Sequence, residues 1–298
     1  MKVNVNDKKV DVIIATYNGA TFLKEQLISI GNQSYKNLNI IISDDNSTDA
    51  TISIAQELPY NIVIYNNPPE NGRGVISNFN NALIHSNGDY IFFCDQDDVW
   101  LPNKIETLME EIFKIENDGN TPALVFSDMM LIDDKGEVIN KSFYTYNNLN
   151  PENNKDIRFL HWKSTVYGCT MLINRKLLNI SGLTPQYFNM HDHWYAINAA
   201  KYGSISYCPQ QLVLYRQHDS NVVGSHNKSL LSKVLRFKKT LSSIKNSAKI
   251  SCESYSRELQ VNKLSLKIKF NFILTFVFPY IKERLMYSLF FIIFFLVV

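Results

Sequence analysis

Short apolar runs rich in β-branched residues recur through the first hundred positions. Each ends on polar residues and gives way to a stretch with helical spacing. Residues 10–16, 38–43, 61–65 and 90–94 have this form, and runs of this length bounded by turn residues predict buried strands. Between them, residues 21–30, a segment reaching about Glu57 and another through Ala82 and Ile84 predict helices. Ser47 or Thr48 would cap the second of these. Strands alternating with helices predict an α/β chain with a mostly parallel sheet and right-handed crossovers. After Asn117 the pattern is less regular. Residues 123–128 predict another strand, and Asp133-Asp134-Lys135-Gly136 a hairpin turn. Residues 147–156, Asn-rich with Pro151, predict a loop, and residues 166–173 a strand. Residues 191–202 predict a helix from the spacing of Trp194, Ile197 and Ala200, and residues 205–216 predict two short strands around Pro209. From Ser229 the chain predicts basic, mostly helical segments.

One strand end carries chemistry. Residues 92–104 read F-F-C-D-Q-D-D-V-W-L-P-N-K. The apolar run stops at Asp95, Asp97 and Asp98, and Pro102 predicts a helix start just beyond. Acids at the carboxyl end of a buried strand sit where open α/β sheets bind ligands. Clustered carboxylates repel one another unless a cation lies between them. Oxygen donors suit Mg²⁺ or Mn²⁺, which in turn hold phosphates. The alternative is an acidic loop that only caps the next helix.

Composition changes the picture at the far end of the chain. The apolar fraction, 45%, allows an ordinary globular core. Cys94, Cys169, Cys208 and Cys252 form no C-x-x-C pair, so neither zinc nor a disulfide framework is expected. The amino-terminal residues lack an apolar signal core, which predicts a cytoplasmic chain. Residues 1–227 hold 17 basic and 25 acidic side chains, whereas residues 228–298 hold 13 and 3. The division predicts a catalytic domain, 1–227, and a basic, apolar helical tail, 228–298. Two apolar runs in the tail, residues 270–280 and 285–298, flank Lys282, Glu283 and Arg284. Neither reaches the roughly 20 residues of a spanning helix. The tail therefore predicts an interfacial anchor on the anionic inner face of the plasma membrane. Packing against the catalytic domain, or against a second subunit in a homodimer, is the alternative. The interleaved apolar runs argue against nucleic acid as the basic tail's partner.

Three motifs in order complete the reading. V-D-V-I-I-A-T-Y-N-G, I-I-S-D-D-N-S-T-D-A-T and F-F-C-D-Q-D-D-V-W-L-P-N-K each lie at a strand end. Together they resemble family 2 glycosyltransferases with the GT-A fold, over about residues 10–224. Asp97-Asp98-Val99-Trp100 and Tyr215-Arg216-Gln217-His218-Asp219-Ser220-Asn221 are further similar to bacterial rhamnosyltransferases of surface-polysaccharide assembly.

The resemblance implies that Thr16, Tyr17 and Asn18 line the pocket for the nucleotide base, where a simple turn is the alternative. Asp45 would accept the base N3–H. Helix capping is its alternative, and Asp44 and Asp49 are open to that role too. Arg73 would touch base or phosphate, or else be solvated. Asp95 would contact the ribose and Asp97 the metal, with Asp98 assisting or capping the turn. His218 would join the diphosphate or metal, and Arg216 would neutralise phosphate charge. Asp192, in N-M-H-D-H-W-Y, would be the general base, with His191 and His193 as alternatives. Trp194 would stack on a sugar or lie in the core, and residues 222–226 would form a lid. The implied reaction is inverting transfer of rhamnose from dTDP-rhamnose to a lipid-linked saccharide. A UDP-hexose or UDP-N-acetylhexosamine transferase is the second reading, since uracil and thymine share the N3–H. A catalytically silent scaffold is the third, opposed by Asp95, Asp97, Asp192 and His218 occurring together.

Overall fold

In a computed structural model, residues 8–218 and 230–298 are described, with side chains 230–237 set aside. The elements in chain order are β1 (Val10–Thr16), α1 (Leu23–Gly31), β2 (Leu38–Asp44), α2 (Thr51–Gln56), β3 (Ile62–Asn66), α3 (Val75–Ile84), β4 (Tyr90–Cys94), β5 (Val99–Trp100) and α4 (Lys104–Phe113). There follow β6 (Ala123–Ile132), β7 (Val138–Asn140), α5 (Phe143–Tyr146), α6 (Ile157–Leu160), β8 (Met171–Asn174), α7 (Arg175–Ser181), α8 (His191–Tyr202), β9 (Ser204–Arg216), α9 (Leu230–Glu258), α10 (Leu266–Phe272) and α11 (Leu285–Val297).

The strands form one sheet in the order β3-β2-β1-β4-β8-β6-β9-β5, with β7 beside β6. The ladders joining β1, β2, β3 and β4 are parallel, as is the long ladder between β6 and β9. β8 enters antiparallel between β4 and β6, and β5 and β7 add short antiparallel pairings. Side chains alternate across a strand, so both faces of this sheet are dry. Val10, Val12, Ile14, Ile42 and Phe92 pack on one side. Ile13, Ile41, Ile91 and Phe93 pack on the other, against α3 and α8.

The register places the motifs together. Thr16 pairs with Asp44, and Ile14 with Cys94. The turns after β1, β2 and β4 therefore open at one carboxyl edge. β5 then folds the acidic loop back onto β9, pairing Val99 with Leu214.

Several local expectations change. Neither Ser47 nor Thr48 caps α2, which begins after Ala50. The N-cap is Ala50, without a side-chain cap, and Asp49 just before it accepts from the Thr51 N–H through Oδ1 at 3.0 Å. Within the expected 147–156 loop, Pro151–Lys155 forms a 3₁₀ turn capped by Asn150. The expected 166–173 strand begins only at Met171, because Gly168–Thr170 makes another 3₁₀ turn. The expected pair of strands around Pro209 is one strand. Its partners jump from Cys208 to Gln211, so Pro209 stands in a bulge where no ladder N–H is needed.

The tail is packed. Ile244, Ala248, Phe272, Val277, Phe291 and Phe295 enclose Phe159 and Trp162 in a third core cluster. The 227/228 boundary and residues 222–226, the expected lid, lie outside the described residues.

Candidate functional site

The carboxyl edge of the sheet holds a cavity of about 260 Å³. Thr16, Tyr17, Asp45, Asp95, Asp97 and Asp192 all line it. The three acids of the second motif, Asp44, Asp45 and Asp49, have separate tasks. Asp44 pins the turn, accepting from Thr16 Oγ1 at 2.7 Å, Ser47 N at 2.7 Å and Ser47 Oγ at 2.6 Å. Asp49 ties the start of α2 to the turn after β1, accepting from Thr51 N at 3.0 Å and Ala20 N at 3.1 Å. Asp45 alone of the three lines the cavity. Its Oδ1 accepts from Asn67 at 2.8 Å and its Oδ2 from the Gly74 N–H at 2.7 Å. A carboxylate has about four acceptor positions, so one more donor can be met.

Around the first motif, Tyr17 is 52% exposed at the cavity. Asn18 has φ 46°, the left-handed region that Asn tolerates. It stands outside the cavity lining, with its Oδ1 accepting from Thr48 N at 2.8 Å and its N–H donating to Ser47 at 2.8 Å. Arg73 is exposed and donates to the Asp45 carbonyl at 3.3 Å. Gln96 joins this turn to the acidic loop, a link the sequence reading missed. It accepts from Tyr17 N at 2.9 Å and donates to Tyr17 O at 3.1 Å. Gly19 leaves room for it, since a Cβ there would meet Gln96 Oε1 at 2.2 Å.

Within the acidic loop, burial and the neighbouring Asp97 and Asp192 carboxylates push the Asp95 carboxyl up to about 7. Asp98 is wholly buried and held well above the usual range by burial, Asp97 and Asp95. Its Oδ1 accepts from the Arg216 N–H at 3.1 Å, and its other oxygen faces the Cys169 thiol. Asp97 Oδ2 lies 2.8 Å from His218 Nε2. Beneath the loop, the buried Lys104 Nζ donates to Cys169 O at 2.5 Å and lies 3.3 Å from the Trp100 ring centroid. Burial lowers its pKa to about 8. Lys104 closes the third motif, but nothing in the sequence showed that it turns inward.

Two donor groupings could hold a cation. Asp97 and His218 are one. Asp95, Asp98 and Cys169 are the other, with ligand atoms within 4.8 Å of one another among the described residues. Crowded carboxylates with raised pKa values fit a bound divalent cation, and the mainly oxygen donors fit Mg²⁺ or Mn²⁺ better than a thiophilic metal.

Arg216 is placed differently from expectation. It is 2% exposed and outside the cavity lining. Its Nε donates to Asp97 O at 3.0 Å, its Nη1 to Asp133 O at 3.4 Å and Asp134 O at 3.3 Å, and its Nη2 to Glu25 at 2.6 Å. The guanidinium therefore fastens the acidic loop to the β6–β7 turn and to α1.

Asp192 sits in the first turn of α8, 7% exposed. Its Oδ1 accepts from His193 N at 2.6 Å and its Oδ2 from Gly168 N at 3.1 Å. Burial nevertheless raises it to about 7. Of the flanking histidines, His191 shares the cavity lining with Asp192 and His193 does not. His193 Nε2 pairs with Leu160 O at 2.6 Å. His191 is wedged between Phe79 and Phe93, ring centroids 4.2 and 4.8 Å away, and burial lowers it to about 3. Trp194 packs 5.0 Å from Phe188 within the core. Tyr167, Gly168, Met190 and Tyr215 also line the cavity; Tyr167 and Gly168 belong to no motif read from the sequence.

The chain matches the profile described as Glycosyl transferase family 2 over residues 11–180. It is 31% identical over 231 residues to the uncharacterized glycosyltransferase RT0329 of Rickettsia typhi, covering 76% of this chain and 69% of that one. It is 30% identical over 231 residues to the dTDP-rhamnosyl transferase RfbG of Shigella flexneri, covering 72% and 74%. Two solved structures share the fold. S. aureus TarS 1–349 in complex with UDP-GlcNAc has a TM-score of 0.56 at 17% identity, over 96% of this chain and 90% of that one. The mannosyltransferase PcManGT from Pyrobaculum calidifontis, in complex with GDP-Man and Mn²⁺, has a TM-score of 0.56 at 18% identity, over 87% and 66%. With the profile spanning more than half its length and the GT-A architecture beneath it, the chain belongs to glycosyltransferase family 2.

Proposed function

We propose that the protein is an inverting, divalent-metal-dependent glycosyltransferase that moves rhamnose from dTDP-rhamnose onto a lipid-linked saccharide at a membrane surface. The observation that carries this is one cavity lined by Asp45, Asp95, Asp97 and Asp192. Asp45 accepts the base N3–H, Thr16 and Tyr17 flank the base, and Asp95 meets the ribose. Asp97 and His218 would hold the cation, whose positive charge would stabilise the leaving diphosphate. The acceptor hydroxyl forms the new bond to the anomeric carbon as the bond to the diphosphate breaks on the opposite face. Its proton passes to Asp192, whose oxygens the Gly168 and His193 N–H groups keep oriented. Rhamnose as the sugar is supported by the similarity to RfbG.

The membrane surface is supported by the tail. Leu266, Phe270, Leu274 and Phe278 recur every fourth residue, and all are more than half exposed. Leu285, Leu289, Ile293 and Val297 repeat the pattern on α11. No helix among the described residues is long and apolar enough to cross a membrane. Two such stripes fit the interfacial layer of a bilayer, reached from its cytoplasmic side.

Purified protein incubated with dTDP- and UDP-sugars, with Mn²⁺ or with chelator, tests the reading. Hydrolysis or transfer of dTDP-rhamnose that stops in chelator is expected. Preference for a UDP-hexose or UDP-N-acetylhexosamine would replace the sugar. Full activity in chelator would remove the metal.

A further inference from the structure

A second cavity, about 530 Å³, lies between α9 and α11. Leu241, Ile244, Leu285, Met286 and Phe290 form its apolar wall, with Tyr287. Arg284 is the one charged side chain in its lining. Beside it, Lys163 places its Nζ 4.6 Å from the Tyr287 ring centroid. Lys163 is partly buried, and among the described residues no carboxylate comes within ion-pair reach of it. Burial, then repulsion from Arg284, pushes it down to about 7 against a weaker opposing pull from Glu283. Buried cations normally have a counter-charge. Here two cations share one neighbourhood at the rim of an apolar groove.

One segment of chain runs from the wall of this groove to the first cavity. Trp162 packs on Tyr287 and Phe291, ring centroids 5.9 and 5.5 Å away. Five residues further, Tyr167 lines the donor cavity, and Gly168 donates to Asp192. Arg284 acts electrostatically on Tyr167, and its Nη2 donates to Asn147 O at 3.0 Å.

We infer that the α9–α11 groove takes the hydrocarbon chain of a lipid phosphate or diphosphate, with Lys163 and Arg284 holding its phosphate. The sugar on that phosphate would then face Asp192 along the 162–168 segment. The inference rests on the reading of a lipid-linked acceptor and adds where its lipid part is held. An apolar slot beside paired cations complements an isoprenoid or acyl phosphate. A free phosphate has no use for the slot, and a neutral lipid has none for the cations.

The full chain, saturated with UDP and Mn²⁺, is titrated calorimetrically with farnesyl diphosphate, farnesol and inorganic diphosphate. Farnesyl diphosphate should bind best. Lys163→Gln and Arg284→Gln should each weaken it about tenfold or more, as loss of a charge-assisted contact does. Met286→Gln should weaken farnesyl diphosphate and leave inorganic diphosphate unaltered. UDP binding in the same samples reports that each variant is folded. Equal affinity for inorganic and farnesyl diphosphate, displacement by UDP, or unchanged affinity in both cation variants would each overturn the inference. Nucleotide-sugar hydrolysis without farnesyl diphosphate binding removes this site and keeps the glycosyltransferase reading. Farnesyl diphosphate binding without turnover of any sugar donor does the reverse.

Discussion

Asp192 combines two hydrogen bonds that favour its charge with burial that opposes it, and burial prevails. A carboxyl near 7 must lose its proton to act as base, so the rate should fall about tenfold per pH unit below 7 and level off above it. Asp192→Asn should lower kcat by about 10²–10⁴-fold while calorimetric donor affinity holds. Gly168→Ala tests the support beneath it. A Cβ there would lie 2.3 Å from His191 Nε2, in a ring that Phe79 and Phe93 prevent from moving aside. The variant should lose about 1–3 kcal/mol in denaturant unfolding and part of kcat, since the Gly168 N–H would tilt away from Asp192. At this scale the acids stood out because they cluster where buried strands end, although Asp44 and Asp49 show that such carboxylates also hold turns and helix starts. Gln96, Lys104 and Gly168 did not stand out, because an amide, a lysine and a glycine gain their meaning only from what folds against them.

At the scale of elements, three parallel strands bring their turns to one edge, and two further connections keep them there. Gln96 bridges the turns after β1 and β4. Arg216, at the end of β9, binds the acidic loop, the β6–β7 turn and α1. Arg216→Ala would remove the donor to the part-buried Asp97 and Asp133 carbonyls and the partner of Glu25, and should cost about 1–3 kcal/mol. Metal affinity, read by Mn²⁺ titration, should weaken with it. Arg216→Lys should recover only part of either, as an ammonium cannot span that fork. An unaltered Mn²⁺ affinity in Arg216→Ala would show that the loop holds its shape unaided. The β1–β4 pattern was readable from apolar periodicity because each strand is short and bounded. β9 was not, since Pro209 resembles a break unless the bulge opposite β6 is known.

Across the whole molecule, charge and hydropathy set the tail apart in the sequence and left open whether it anchors to a membrane or packs on the catalytic domain. Phe272, Phe291 and Phe295 are fully buried beside Trp162, so ending the chain at residue 262 would uncover Phe159 and Trp162 and is expected to lower both stability and solubility. Point changes separate the two faces of the tail. Leu274→Glu with Phe278→Glu should abolish co-sedimentation with anionic vesicles and leave the unfolding midpoint within about 0.5 kcal/mol of the parent, the usual effect of surface changes. Retained sedimentation would assign the stripes to another partner. The every-fourth-residue stripes carry one more consequence. An enzyme resting on them meets its acceptor by diffusion in two dimensions. Its rate then follows acceptor molecules per unit area of bilayer. Adding inert lipid at fixed amounts of enzyme and acceptor should slow transfer in proportion to the added surface, while hydrolysis of the soluble donor proceeds unaltered.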